Sequence, residues 1–66
     1  MDSAEIAKRW GCKVGDVVAL YGNAYQVTFI GNGMVLGHQT VENGHEVCGT
    51  MVFRLNLKMN GWQLIL

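Results

Sequence analysis

The chain contains no proline, so no position is barred from giving its backbone N–H to a helix or a sheet. It contains two cysteines, Cys12 and Cys48, too few for the disulfide framework of a small secreted domain. Neither charge is in excess: five basic and five acidic residues leave a formal net charge of zero. A basic excess is what releases counterions from phosphate, so the default argument for a nucleic-acid partner is missing. No apolar run approaches the roughly 18 residues that span a bilayer. The stretch from Met1 to Lys8 lacks the basic-then-apolar pattern of a secretory signal. These absences predict a cytoplasmic protein without a membrane segment.

What is present is apolar. Half of the 66 residues are hydrophobic and 15% are charged. A chain this short makes one domain, residues 1–66, and buries only about 60% of the surface its unfolded form exposes. One core of that size cannot hide so much apolar surface. The expectation is that another protein, or a second copy in a homodimer, covers part of it.

The N-terminal segment reads as a short helix over Ser3–Trp10. Asp2 or Ser3 can cap it, Ile6 and Trp10 share one face, and Gly11 supplies the stop. The periodicity then changes to that of strands. Val17–Tyr21, Tyr25–Phe29, Met34–Thr40, Glu46–Lys58 and Trp62–Leu66 are separated by Gly22-Asn23, Gly31-Asn32-Gly33, Asn43-Gly44 and Asn60-Gly61. Asn-Gly between apolar runs is the strongest short-range hairpin signal, because both residues tolerate the positive φ of a type I′ turn. Five strands joined by tight turns predict a mostly β fold, an antiparallel meander. The run from Glu46 to Lys58 exceeds the usual strand length of about 5–6 residues. Gly49 within it predicts a bulge or bend that lets one strand serve two sheets, so the meander is expected to roll into a partly open barrel, the alternative being a flat sheet with the helix packed across it. The predicted core holds Ile6, Trp10, Val17, Leu20, Val27, Phe29, Leu36, Val47, Met51, Phe53, Leu55 and Leu64.

The segment Lys13-Val14-Gly15-Asp16-Val17-Val18, followed by Tyr25-Gln26-Val27, resembles the opening of SH3-like barrels, where a Gly-Asp turn often introduces the first strand. The resemblance covers about a third of the chain. It implies a five-stranded barrel used as a binding scaffold, of the kind frequent among phage and prophage accessory proteins. No aromatic peptide-binding motif of that superfamily is legible, so no functional residue is carried over.

Three other patterns compete. From Ile6 to Leu20 the apolar spacing resembles a helix-turn-helix, which implies a second helix near Val14–Tyr21 in the DNA major groove, with Lys8, Arg9 and Lys13 on phosphate. That helix would present Gly15, Asp16, Val18 and Ala19, none of which reads a base edge, and the paired valines favour a strand. Cys12, His38, His45 and Cys48 form a set of two sulfurs and two nitrogens suited to zinc, but only one close pair, His45-x-x-Cys48, is present. A Cys-His nucleophile, Cys48 with His45 or His38, lacks a recognisable setting. The chain is therefore read as a non-enzymatic module needing no cofactor.

Surfaces remain. The outward row of the long strand is Thr50, Val52, Arg54 and Asn56, with Lys58 beyond. Arginine flanked by an apolar residue is a composition found at interface centres. This row is the predicted partner-binding face, on a protein expected to act as a small inhibitor or adaptor.

Overall fold

The computed structural model describes residues 2–20, 22–42, 44–47, 51–58 and 62–65. Helix α1, Ser3–Arg9, is closed at both ends by local chemistry. At its start the Glu5 N–H donates to Asp2 Oδ1 at 2.9 Å, so Asp2 is the cap. At its end Trp10 is followed by Gly11 at φ 71°, the left-handed position that ends many helices. The Gly11 N–H then donates to the Lys8 carbonyl and the Cys12 N–H to the Ala7 carbonyl, the paired bonds of a Schellman motif. This motif also drops Cys12 beside Ala7 in the core.

Six strands follow: β1 Val17–Leu20, β2 Asn23–Gly31, β3 Met34–Glu42, β4 His45–Glu46, β5 Val52–Leu55 and β6 Trp62–Ile65. All pairs are antiparallel and form one sheet of order β4-β3-β2-β1-β6, with β5 beside β4 on the same edge of β3. The fold is thus mostly β with one short helix. Among the described residues β5 and β6 do not pair, and the sheet is not closed into a barrel.

Turn chemistry behaves as the sequence predicts. Gly31 pairs with Met34 across Asn32 and Gly33, whose φ values of 50° and 74° are those of a type I′ turn. Glu42 pairs with His45, and Gly44 between them has φ 82°; Asn43 lies outside the described residues. Asn60-Gly61 lies outside the described residues. The first loop falls earlier than expected, since Asn23 already pairs with Leu20 and only Gly22 of the expected Gly22-Asn23 lies in the turn.

Two irregularities bend the β2–β3 ribbon. Between the pairs Val27↔Gly37 and Phe29↔Leu36, Thr28 is surplus on β2; between Ala24↔Val41 and Tyr25↔Gln39, Thr40 is surplus on β3. Each surplus threonine turns its hydroxyl across the gap. Thr28 Oγ1 donates to the Leu36 carbonyl at 3.3 Å and Thr40 Oγ1 to the Ala24 carbonyl at 3.4 Å, both long for such bonds. Bulges increase the right-handed twist and bend a ribbon. The effect is visible at Tyr25, whose ring lies 5.9 Å from Phe53 on β5 and 5.8 Å from Trp62 on β6. Strands at opposite edges of the sheet thus meet one central side chain.

The long run Glu46–Lys58 is not one strand. Five residues separate Glu46 from Val52, while only two separate their β3 partners Val41 and His38, so three residues (5 − 2) are surplus there. The run divides into β4 and β5 on the same edge of β3. Gly49 lies within the break, outside the described residues.

The core consists of Ala7, Cys12, Val18, Val27, Val35, Leu55 and Leu57, with Ile6, Tyr25, Ile30, Trp62 and Leu64 packed against it. Several expectations are corrected. Trp10, Phe29, Met51 and Phe53 are exposed, and Val17, Leu20, Leu36 and Val47 are only half-buried. Val18 takes the inward position expected of Val17. Phe29 is displaced because the Thr28 bulge shifts the alternation of β2. A buried hydrogen bond ties the two ends of the chain: the Leu57 N–H donates to Ser3 Oγ at 3.1 Å.

Candidate functional site

The segment expected to become a second DNA-reading helix is instead a turn and a strand. Lys13–Asp16 is a tight turn in which the Lys13 N–H donates to Asp16 Oδ2 and the Asp16 N–H to the Lys13 carbonyl. Gly15 and Asp16 are bonded onto Val27 of β2, and Val17–Leu20 pairs with both β2 and β6. No second helix forms there, and the reason is the β-branched pair Val17-Val18 that the sheet requires. Lys8, Arg9 and Lys13 are exposed without a recognition helix to accompany them.

The sulfur and nitrogen set is dispersed. Cys12 is buried under the helix end, His38 lies on β3 one residue beyond inward-facing Gly37, and His45 is exposed on β4; Cys48 lies outside the described residues. Among the described residues no group of three His, Cys, Asp or Glu side chains converges. Burial pushes the Cys12 thiol above its ordinary value of 9.0, and the Asp16 carboxylate adds to the shift. At neutral pH Cys12 is therefore a neutral thiol, unsuited to nucleophilic attack.

The raised value has a thermodynamic consequence. The folded state holds the Cys12 proton more tightly than the unfolded chain, so the contribution is fully present below pH 9.0 and is lost as pH rises through the higher folded value. Thermal melts of wild type and Cys12→Ala, followed from pH 7 to the alkaline side of that range, are expected to diverge there, with the wild type losing more stability. Curves that stay parallel would show that burial does not perturb this thiol.

The exposed strand face is where the predicted residues come together. Val52, Arg54, Asn56 and Lys58 are all exposed; Thr50 lies outside the described residues. Alternation holds along β5 and past its end, since Leu55 and Leu57 are buried between them. Two further residues are exposed beside this row without sharing its face. Met51 is 68% exposed, Val52 54% and Phe53 37%, which makes three consecutive large apolar side chains open to solvent. Phe53 points toward Tyr25, in edge-to-face contact at 71°, but its outer part is uncovered. β5 pairs with β3 alone among the described residues, so among these residues nothing takes up the N–H and C=O groups of its other edge. Below β5 a cleft of about 330 Å³ is lined by Arg54, Asn56 and Lys58 on one side and by Asp2, Ser3 and Gly33 on the other.

Sequence reading missed Met51 and Phe53 as surface residues because apolar alternation marks both for the core. The available signal was the shortness of the chain, which cannot bury every residue of such a run.

No protein-family model matches the chain, and no curated protein or solved structure is significantly similar to it. Among the described residues no helix is long and apolar enough to cross a membrane.

Proposed function

We propose that the protein is a non-enzymatic protein-interaction module, a small adaptor or inhibitor that acts through the open edge and outward face of β5. The observation that carries this reading is the uninterrupted exposure of Met51, Val52 and Phe53 at the start of a strand whose second edge has no partner among the described residues. Three adjacent exposed apolar residues where an edge strand begins invite pairing and aggregation unless a partner covers them. Arg54, on the same strand, adds the charged group that interface centres favour. The scaffold fits a partly open SH3-like barrel. Support for that comes from the two bulges of the β2–β3 ribbon and from the meeting of Phe53, Tyr25 and Trp62 across the sheet.

Val52→Glu tests the reading with little risk to the fold, because the side chain is outward and more than half exposed. Tagged wild type and variant, matched for melting temperature, are used to recover partners from the source organism's lysate. The wild type is expected to retain at least one specific partner that the variant loses, as a charge placed at a desolvated contact costs about 2 kcal/mol or more. Equal recovery of every partner by the two proteins removes β5 as the contact face.

A further inference from the structure

The charges of this chain are unevenly placed. All five acidic residues, Asp2, Glu5, Asp16, Glu42 and Glu46, precede residue 47, and from Val47 to Leu66 the only charged residues are Arg54 and Lys58. The fold brings these two cations to one cleft between the end of β5, the start of the helix and the β2–β3 turn. The single carboxylate lining that cleft, Asp2, already accepts the Glu5 N–H through Oδ1 as the helix cap. Neither Arg54 nor Lys58 has an ion-pair partner among the described residues.

Resting on the reading of β5 as a contact face, we infer that its occupant is an acidic, extended segment of another protein, added as a further strand. The N–H and C=O groups on the second edge of β5, unpaired among the described residues, would pair with the backbone of that segment. Met51, Val52 and Phe53 would cover its apolar side chains, and Arg54 and Lys58 would meet its carboxylates. A second copy of this chain fits worse. Two β5 edges placed side by side bring two Arg54 and two Lys58 together with no acid in the segment, and like charges across a strand pair repel. A nucleic-acid backbone fits worse too, because it offers nothing to the strand's backbone groups or its apolar row, and the protein has no net positive charge. The other sheet edge is not equivalent: β6 carries no charged residue to meet a carboxylate.

The test is an amide-shift titration of the labelled full chain with three capped octapeptides: valine alternating with glutamate, with glutamine and with lysine. The glutamate peptide is expected to move the Val52–Leu55 resonances, to weaken with added salt, and to bind about tenfold less tightly to the double variant Arg54→Gln/Lys58→Gln. Equal affinity for the glutamate and glutamine peptides, or no effect of the double variant, overturns the acidic preference while leaving β5 as a contact face. No shift on β5 with any peptide overturns the added-strand inference. The wider reading then stands on the Val52→Glu recovery, which does not depend on peptide charge. Tighter binding of a DNA or RNA duplex at Arg54 and Lys58 than of the glutamate peptide also overturns it.

Discussion

Gly37→Ala is expected to lower the stability of this protein by about 1–3 kcal/mol, and Gly37→Val by more, although each change adds only methyl groups. Gly37 sits in the middle of β3, between Val27 of β2 and Phe53 of β5. A Cβ at this position would lie 2.8 Å from the Gln26 carbonyl oxygen and 2.9 Å from Leu55 Cδ1. The leucine can change rotamer. The carbonyl belongs to the neighbouring strand and moves only if β2 and β3 separate. For a chain of this length the total stability is on the order of 3–10 kcal/mol, so the loss is a large fraction of it. Urea denaturation measures the effect directly. An unchanged midpoint would show that β2 does not back against Gly37 in solution.

Leu55→Ala is expected to be at least as damaging, about 2–5 kcal/mol, because it opens a cavity where three elements meet. Leu55 is buried, pairs with Val35, and packs in one cluster with Val18, Val27 and Leu57. The two substitutions are coupled. Truncating Leu55 removes one of the two obstacles to a Cβ at position 37 but leaves the Gln26 carbonyl in place. The double variant Gly37→Ala/Leu55→Ala should therefore be less destabilised than the sum of the singles, by about 0.5–1.5 kcal/mol. Strict additivity would mean that Leu55 does not touch the Gly37 site. Both variants also bear on function, since β5 is held in position through β3 and Leu55 anchors the end of the strand that exposes Val52 and Arg54.

The row Val52, Arg54, Asn56 and Lys58 was legible in the sequence because a strand's side chains alternate, and burial of Leu55 and Leu57 confirms that phase. The same rule failed at Met51 and Phe53. Alternation says which residues share a side but not whether that side is covered, and the end of the inward face near Phe53 is open. In β1 the rule had no purchase at all: Val17 and Val18 are both apolar, and only pairing with Tyr25 and Leu64 turns Val18 inward. The bulges were equally hidden. Thr28 and Thr40 fit the alternating pattern of ordinary strands, and they become surplus only when β2 and β3 are aligned.

What the amino-acid order decided by itself is local. Asp2 capping Glu5, Gly11 ending the helix, Asn32-Gly33 reversing the chain, and the mostly β character all follow from backbone preferences acting over a few residues. What tertiary structure alone decided is which strand meets which. Pairing of β6 with β1 and of β5 with β3 places two short strands at opposite edges and, among the described residues, leaves the second edge of β5 unpaired. That choice depends on contacts between residues far apart in the chain, where the bulges, the missing Cβ of Gly37 and the shared core decide how the sheet bends. No local preference carries that information.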